Sequence, residues 1–449
     1  MNVKVAEPVG VDGDARPPSE GDAVPGSHVA VVGAGLAGLA AALELKRHGC
    51  RVTLIERSRL LGGKATSFPL GDIEMDSGQH AILGCYTSFL EFVEELGMRD
   101  GLRLQERFDV VMLSDRGRAR LRAQRLPAPL HLALPFLRCR ALTLRARLQV
   151  PRALLAARRH RRDEDEQTFA GWLHRHGQGA SALRGFWEPF IIPALNAPFD
   201  RVSAAAGLMV VRTALLGDRR AARIGYATIP LARFAERAAE RCDVVLLRTP
   251  VTGLRVEGGR LRGLLAGENE IDVDAAVLAV PPDRLHRFAG AEALGVAGLD
   301  GFATQPIVDV HLWYDRELGG LDFAAVIGSP VQWIFVKGRG YICCSLSSAE
   351  DLILQPEERL VALADSELRA RLPELDGASL LHGVAIRDPE ATFVPSPGLH
   401  RPGPATALDN AVLAGCWTDT GWPATMEGAV RSGREAARTL IRSGVARHA

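Results

Sequence analysis

The sequence predicts an α/β fold, in which a dinucleotide-binding domain built from separate stretches of the chain is combined with an α+β domain. Three observations support this prediction. A glycine-rich turn follows a β-branched stretch near residue 30, an acidic residue ends the next strand-like stretch, and a short apolar run and a long helical pattern follow residue 410. Strands that alternate with helices are typical of a parallel sheet covered by helices.

The first motif is a G-x-G-x-x-G turn between a strand at residues 29–32 and a helix at residues 36–48. Its first glycine permits the tight turn, its second lets the backbone approach a pyrophosphate, and its third allows close packing of helix and strand. The phosphates would lie at the helix N-terminus. The residues expected to line the cofactor here are Gly33, Ala34, Gly35, Leu36, Ala37 and Gly38.

An acidic residue ends the second strand at residues 51–55. Glu56 follows Gly38 by eighteen residues, which suits a carboxylate that holds the ribose hydroxyls and disfavours a 2′-phosphate. A lone G-x-G-x-x-G also arises from helix packing. Here strand, turn, helix, strand and acid all occur at the required spacing, which favours dinucleotide binding.

The stretch after Glu56 reads RSRLLGGKATSF. It resembles the extended fingerprint of the flavin amine oxidase and carotenoid desaturase superfamily, in which a second glycine pair lies along the flavin diphosphate and ribityl chain. The resemblance implies FAD as the cofactor, with a discontinuous Rossmann-type FAD-binding domain. It also implies contacts from Arg57, Gly62, Gly63 and Lys64. Lys64 stands where arginine is common, which keeps the charge but loses the bidentate fork.

The composition also indicates the size of the protein's cores, its redox compartment and its relation to the membrane. The 449 residues are 47% hydrophobic, enough for two domains with their own cores. Seven cysteines without metal-ligand spacing suit a reducing cytoplasm and argue against a metal. Residues 1–26 are rich in proline and glycine without an apolar core, so we expect a disordered tail and no signal peptide. No apolar stretch is long enough for a transmembrane helix.

Charge is distributed unevenly. Residues 116–162 contain fourteen of the 54 basic residues and no acidic one, interleaved with leucine, proline and phenylalanine. The stretch at residues 126–148 has the composition expected of a helix pair that lies in an anionic membrane surface, which would place a cytoplasmic protein on the inner face of the membrane. The alternative is a solvated arginine-rich face over an apolar core. Nucleic acid is disfavoured, because stacking aromatics are not interleaved with the arginines.

The middle of the chain predicts further elements of both domains. Residues 163–224 look like helices and turns, and residues 225–240 look helical. The predicted strands are residues 244–247, a β-meander over 249–282 with its hairpin turn at 257–260, a returning strand at 276–280, and antiparallel strands at 306–315, 331–338 and 341–348. The superfamily resemblance implies that Val251 touches the adenine.

The C-terminal region predicts a strand at 411–415, a loop, and a helix at 425–441. The N-terminus of that helix would direct positive potential to the flavin edge where negative charge accumulates on reduction. We expect Gly415, Thr425 and Met426 to contact the cofactor. The superfamily usually has Gly-Asp where this chain has Gly415-Cys416, and a thiol is a poor acceptor. Water or Asp419 would have to compensate, or flavin would be held less tightly.

Two longer strings narrow the resemblance. DSGQHAILGCYTSF at residues 76–89 and WTDTGWPATMEGAVRSGREAA at residues 417–437 are similar to the hydroxysqualene dehydroxylases, squalene-associated FAD enzymes of bacterial hopanoid pathways. The likeness extends over nearly all of the chain from residue 28 on. It implies reduction of hydroxysqualene to squalene by hydride from reduced flavin, with an apolar isoprenoid substrate and the upstream enzymes of squalene synthesis as possible partners.

Loss of a hydroxyl needs a proton donor. The candidates are His80, which alternatively hydrogen-bonds backbone, and Asp419, which alternatively caps the last helix or binds ribityl hydroxyls. Three aromatic residues, Trp417, Trp422 and Tyr86, are interpreted as packing residues; the alternative is that they line the flavin face or stabilise positive charge. Three rival functions stay open: a carotenoid or phytoene-type desaturase, an amine oxidase, and an isoprenoid-binding scaffold without catalysis.

The predicted division assigns residues 27–110, 225–285 and 405–449 to the FAD-binding domain. Residues 111–224 and 286–404 form the predicted substrate domain, which contains the basic segment at 116–162.

Overall fold

The computed structural model describes residues 26–71, 73–127, 130–159 and 164–444. The predicted tail at residues 1–26 lies outside the described residues except for its last glycine. Arg161 and Arg162 of the basic segment lie outside them too.

Strands of the described chain are β1 (His28–Val32), β2 (Arg51–Ile55), β3 (Ser67–Leu70), β4 (Ile73–Asp76), β5 (Ile82–Leu83), β6 (Leu102–Leu104), β7 (Asp109–Ser114), β8 (Gly117–Arg122), β9 (Ile224–Ala227), β10 (Val244–Leu246), β11 (Val251–Glu257), β12 (Arg260–Ala266), β13 (Asn269–Asp272), β14 (Ala275–Leu278), β15 (Thr304–Tyr314), β16 (Phe323–Val326), β17 (Trp333–Gly338), β18 (Tyr341–Ser347), β19 (Leu380–Phe393) and β20 (Ala411–Leu413).

Its α-helices are α1 (Leu36–Arg47), α2 (Thr87–Glu95), α3 (Leu130–Arg138), α4 (Leu144–Ala157), α5 (Phe169–Arg175), α6 (Ala180–Ala182), α7 (Glu188–Leu195), α8 (Ala204–Val210), α9 (Ala232–Ala239), α10 (Pro282–Leu285), α11 (Glu357–Arg369) and α12 (Met426–Arg442). Two π-helical turns, Leu183–Trp187 and Val211–Leu215, continue α6 and α8.

A five-stranded parallel sheet in the order β10-β2-β1-β14-β20 forms the first layer. Helices α1, α2, α9 and α12 share a core with one face, and the β11–β13 meander packs on the other. Because both faces are covered, the strands are nearly continuous apolar runs. The stretches that build this sheet are far apart in sequence, as expected for a discontinuous nucleotide-binding domain.

Two helices of this layer approach each other closely. A Cβ placed on Gly433 of α12 would lie 1.9 Å from the carbonyl oxygen of Ala37 in α1, so only glycine fits there. Residues 36–45 of α1 are all buried. Its N-terminus is thereby held in place between the sheet and α12.

The second large layer is a seven-stranded sheet in the order β19-β15-β18-β17-β16-β7-β8. One face packs against α11. The opposite face shares a core with α3 to α8, which is rich in Phe and Trp. This arrangement agrees with the predicted α+β substrate domain. The exact domain boundaries stay a prediction, and β7 spans the boundary proposed between residues 110 and 111.

Most predicted elements are confirmed within one to three residues at each end, including the meander and its turn. One expectation was wrong. The predicted helix at 225–240 begins as strand β9, which pairs with β5 and β6 and is followed by the shorter helix α9. The helix pair predicted at 126–148 is confirmed by α3 and α4, and residues 117–122 before it form edge strand β8.

No helix in the described part of the chain is both long and apolar enough to cross a membrane.

Candidate functional site

The glycine-rich loop joins β1 to α1 and has the predicted stereochemistry. Gly33 has φ +103°, and a Cβ there would lie 2.5 Å from the carbonyl oxygen of Ala279. A Cβ on Gly38 would lie 1.9 Å from the carbonyl oxygen of Gly33. Both positions therefore require glycine for reasons internal to the protein.

Gly35 differs from these two glycines. Its φ of −73° suits any residue, and the nearest atom to an added Cβ is the Gly63 Cα at 4.0 Å. It is also the N-cap of α1 without a side-chain cap, and the first turn of α1 carries no acid. Free N–H groups and positive potential at an uncapped helix N-terminus favour a phosphate. The open space at Gly35 fits a pyrophosphate.

The second glycine pair packs directly on this loop. The N–H of Gly62 donates to the carbonyl of Ala34 at 2.8 Å, and Gly62 forms an isolated parallel bridge with Gly35. A Cβ on Gly63 would lie 3.0 Å from the Cα of Gly35. The two glycine motifs predicted to bind one cofactor are thus brought together.

Glu56 lies at the end of β2 beside the same loop. Its Oε2 accepts from the N–H of Ala34 at 2.8 Å, and its Oε1 accepts from the N–H of Ser58 at 2.8 Å. The backbone N–H of Thr249, two residues before Val251, donates to the Glu56 carbonyl at 2.9 Å. The backbone of Glu56 therefore lies beside the residues that precede β11, as binding of one adenosine by Glu56 and Val251 would require.

Arg57 and Lys64 have different surroundings. The side chain of Arg57 is exposed. The ammonium group of Lys64 forms an ion pair with Asp388 of β19 at 2.7 Å. This pair ties the second glycine loop to the seven-stranded sheet. Contacts of Arg57 and Lys64 with the cofactor stay predictions.

The C-terminal loop lies between β20 and α12. A Cβ on Gly415, where φ is +147°, would lie 2.4 Å from the indole nitrogen of Trp417. Thr425 caps α12 by accepting from the N–H of Gly428 at 3.1 Å, and buried Met426 begins the helix. The helix N-terminus thus has the predicted position in the chain.

Asp419 does not cap α12, so that alternative was wrong. Its side chain is exposed and accepts from the N–H of Gly421 at 3.2 Å, within its own loop. This orientation argues against a role as a buried proton donor.

A residue that the sequence did not reveal, Arg401, holds this loop. Its guanidinium donates to the carbonyls of Trp417 at 3.2 Å, Trp422 at 2.8 Å and Cys416 at 2.8 Å, and also to that of Thr418. Burial raises the pKa of the Cys416 thiol. Arg401 thus orders the loop in which Cys416 replaces the aspartate that is usual in the superfamily. In the sequence it stands in the stretch HRPGP, without a local partner that would have revealed this role.

The two strings that carried the narrower resemblance meet in space. Glu427 of α12 is fully buried, and its carboxylate accepts from the N–H groups of Ser88 at 3.1 Å and Phe89 at 2.8 Å, at the N-terminus of α2. Tyr86 and Trp422 contact each other edge to face, with ring centroids 5.8 Å apart. The packing interpretation of these two aromatics agrees with this contact.

Trp417 is also a packing residue. It is buried, its indole N–H donates to the carbonyl of Val280 at 3.0 Å, and its ring contacts Phe302 edge to face.

His80 lies in a loop over β15. Its Nδ1 is 2.9 Å from the carbonyl oxygen of Gly78, and burial lowers its pKa. The N–H of the adjacent Gln79 donates to Oδ2 of Asp309 at 3.1 Å. The structure therefore supports the backbone-bonding interpretation of His80 and reveals a buried carboxyl group beside it.

Asp309 belongs to a row of polar side chains on the face of β15 that looks toward the aromatic core. It is 3% exposed, and burial raises its pKa to about 6. His311, two residues further, is 2% exposed and has a pKa lowered to about 4 by burial. The sequence analysis placed both residues in a strand without assigning them a role. Their alternation with Val308, Val310 and Leu312 was the available signal.

An aromatic patch continues this face on the neighbouring strands. Ser345 pairs with both Asp309 and Trp333, and Cys343 pairs with both His311 and Phe335. Paired residues of adjacent strands point to the same side of a sheet. The patch is formed by Phe323, Trp333 and Phe335 of this sheet and by Tyr226 of β9, whose rings contact one another.

In the described residues, no three His, Cys, Asp or Glu side chains are grouped so as to hold a metal ion.

A family model for flavin containing amine oxidoreductases matches residues 36–441. The chain therefore belongs to the flavin containing amine oxidoreductase family, and it is an oxidoreductase with FAD as its cofactor.

Within the family, the chain is similar to the hydroxysqualene dehydroxylase of Rhodopseudomonas palustris, at 31% identity over 93% of this chain and 99% of that protein. It is also similar to the 15-cis-phytoene desaturase of Synechococcus elongatus, at 26% identity over 92% of this chain and 95% of the relative. The resemblance stated from the two sequence strings is thereby confirmed.

Solved structures agree on the fold. A putrescine oxidase superposes with a TM-score of 0.69 at 19% identity, covering 93% of this chain and all of that one. Cyclohexylamine oxidase from Brevibacterium oxydans gives 0.66 at 19% identity, covering 93% and 99%.

Proposed function

We propose that this protein reduces hydroxysqualene to squalene, replacing the hydroxyl group by hydrogen. The observation that carries the proposal is the buried carboxyl group of Asp309 at the edge of the aromatic patch. An apolar substrate that must lose a hydroxyl needs both an apolar wall and a proton donor shielded from water. Similarity to three hydroxysqualene dehydroxylases gives further support.

Different residues of the proposed site would bind the cofactor and the substrate. The glycine-rich loop, the uncapped N-terminus of α1 and Glu56 fit the adenosine diphosphate part of FAD, and the loop held by Arg401 precedes the helix expected at the flavin edge. When bound and reduced, FAD supplies a hydride. The aromatic patch would orient the isoprenoid chain and exclude water, which would otherwise capture a developing allylic cation.

The proposal is tested by anaerobic incubation of the chemically reduced holoenzyme with hydroxysqualene. We expect the visible absorbance of oxidised flavin to return, with formation of one squalene per flavin. Reoxidation without squalene, or no reoxidation, contradicts the proposal.

A second candidate is a phytoene-type desaturase, which the similarity to the Synechococcus elongatus enzyme favours. It would run the flavin in the opposite direction. Oxidised holoenzyme mixed anaerobically with phytoene would then lose its flavin absorbance, whereas a hydroxysqualene dehydroxylase would not respond.

We also propose that the basic segment docks the protein on the cytoplasmic face of an anionic membrane. Exposed leucines support this. In α3 they lie at positions 130, 134 and 137, and in α4 at positions 144, 148 and 155. Spacings of three, four, seven and eleven place leucines on one face of a helix. Exposed arginines at 138, 140, 145 and 152 accompany them.

A further inference from the structure

Two buried side chains on one face of β15 have polar atoms without a hydrogen-bond partner. These atoms are Oδ1 of Asp309 and Nε2 of His311. Residues two apart in a strand have Cα atoms about 7 Å apart and side chains on the same side, so a water molecule between the two side chains can hydrogen-bond both of them. Since buried polar groups are normally paired, both atoms are available to a substrate or a bridging water.

The other oxygen of Asp309 is held in place. Its Oδ2 accepts from the N–H of Gln79 at 3.1 Å, and Ser345, which pairs with Asp309 across the sheet, lowers the pKa of the carboxyl group. A Cβ on Gly78 would lie 3.2 Å from Oδ2. The loop that contains His80 therefore covers one side of the carboxyl group and fixes its orientation.

The charged groups around Asp309 act in opposite directions. Lys337 of β17 lowers its pKa and Asp388 of β19 raises it, but burial has the largest effect. The titratable groups nearby also include Asp76 of β4, His80, His311, and Tyr341 and Cys343 of β18. Burial raises the pKa of Tyr341 and of Cys343, and lowers that of both histidines. Asp309 is thus surrounded mainly by neutral groups.

His311 connects this carboxyl group to a polar cavity. Its Nδ1 is 2.7 Å from the hydroxyl oxygen of Tyr341. Tyr341 lines a cavity of about 500 Å³ together with Asp76, Lys337 and Asp322. A neutral imidazole can accept a proton at one nitrogen and release one from the other.

We propose that Asp309 donates the proton with which the substrate hydroxyl leaves as water, and that His311 and Tyr341 return a proton to it from the polar cavity. This inference rests on the proposed function. The carbon–oxygen bond breaks, the oxygen takes the Asp309 proton, and the carbon gains the hydride supplied by reduced FAD. The alcohol thus becomes the hydrocarbon plus water, FAD is oxidised, and the Asp309 carboxylate regains one proton from solvent.

The test uses reduced holoenzyme of the wild type and of Asp309→Asn, Tyr341→Phe and Asp365→Asn. Asp365 lies on α11, behind the opposite face of β15, and bonds Tyr314 at 2.7 Å, so it is a matched control for the loss of a carboxylate. Single-turnover flavin reoxidation by hydroxysqualene is followed from pH 5 to pH 9. Infrared spectra without substrate record the stretching band of a protonated carboxyl group.

We expect the wild-type rate to fall as pH rises above about 6. Asp309→Asn should lose at least about 100-fold in rate and all of that pH dependence, with unchanged FAD content. Tyr341→Phe should be roughly tenfold slower. The infrared band should be missing only in Asp309→Asn.

A wild-type rate and pH profile in Asp309→Asn would overturn the inference and leave the proposed function intact. A wild type that hydroxysqualene does not reoxidise would overturn the proposed function instead. In that case, the infrared band still reports whether Asp309 holds a proton at pH 5, below its pKa of about 6. Its absence from the wild type at pH 5 contradicts the assignment independently of turnover.

Discussion

At the scale of single residues, Asp309 links the stability of the fold to pH. Burial raises its pKa from 3.8 to about 6, so the folded protein binds more protons than the unfolded chain between these values. Stability from this group is present below pH 4 or so and is lost as pH rises through about 6. The loss amounts to about 3 kcal/mol at most.

Asp309→Asn removes this titration. We compare the free energies of unfolding of the variant and the wild type by urea denaturation at each pH. Their difference should shift in favour of the variant by up to about 3 kcal/mol as pH rises from 4 to 8, because only the wild type loses this contribution. Ser345→Ala keeps the carboxyl group of Asp309 but removes a hydroxyl group that lowers its pKa, so the stability of this variant should depend on pH more steeply than that of the wild type. Equal pH dependence in wild type and Asp309→Asn would contradict the assignment.

Substitutions at Gly35 and Gly38 distinguish an effect on cofactor binding from an effect on folding. A Cβ at Gly35 would lie 4.0 Å from the nearest protein atom, whereas one at Gly38 would collide with the Gly33 carbonyl. Gly35→Val should therefore fold with near wild-type apoprotein stability and lack FAD. Gly38→Val should lose both, because a Cβ cannot fit there. Circular dichroism and the flavin absorbance of the purified proteins measure the two effects. If Gly35→Val retains FAD, the pyrophosphate does not bind at this loop and the assignment is wrong.

At the scale of elements, Glu427 joins α12 to α2. It is fully buried and satisfies the N–H groups of Ser88 and Phe89, since the N-cap residue of α2 offers no side-chain acceptor. Glu427→Gln keeps the shape but loses the charge opposite a helix N-terminus. It should lower the free energy of unfolding by about 1 to 3 kcal/mol.

Glu435 is the matched control on the same helix. It is exposed and paired with exposed Arg442, so Glu435→Gln should change stability by less than about 0.5 kcal/mol. Urea denaturation of both holoproteins makes the comparison. Equal effects would show that burial of Glu427 does not matter.

The sequence predicted those elements whose signal is local. Strands β1 and β2, helix α1 and the β11–β13 meander follow from glycine turns and apolar runs. Strand β9 was missed because its pairing with β5 and β6 joins residues more than 100 positions apart.

The same limit applies to the site. The glycines and Glu56 could be placed because one motif fixes their spacing. Arg401 could not be predicted, because the four carbonyls that it binds belong to a loop whose shape depends on the whole fold. Asp309 and His311 were indistinguishable from the solvent-facing side of a strand until the sheet was seen to be covered on both faces.

At the scale of the whole molecule, the proposed function would draw on both large sheets. The parallel sheet carries the glycine loops, and the seven-stranded sheet carries Asp309 and most of the aromatic patch. Lys64 and Asp388 join the two through an ion pair that is partly exposed. Such a pair contributes little stability, so we expect the relative position of the two sheets to depend mainly on packing.

The exposed leucines of α3 and α4 give the last prediction. Leu144 and Leu148 are 70% and 65% exposed, although burial of each side chain in a membrane would gain about 1.5 kcal/mol or more. Replacing Leu137, Leu144, Leu148 and Leu155 by serine should therefore reduce flotation with anionic liposomes by at least about tenfold. FAD content and turnover of detergent-dispersed substrate should stay unchanged.

Leu354 and Leu381 lie outside the basic segment and are 90% and 66% exposed, so they are the matched control. Serine at both positions should leave flotation intact.

A second variant tests the electrostatic contribution and replaces Arg138, Arg140, Arg145 and Arg152 by glutamine. It excludes Arg147, whose guanidinium donates to the carbonyls of Leu137 and Leu142 at 3.1 Å and so holds the two helices together. Each exposed arginine contributes about 1 kcal/mol near anionic lipid, and salt screens this attraction. The wild type should therefore float at low salt and much less at high salt, and the glutamine variant should float weakly at both. A wild type that fails to float at low salt would show that these leucines face water or another protein, and that substrate reaches the aromatic patch by another route.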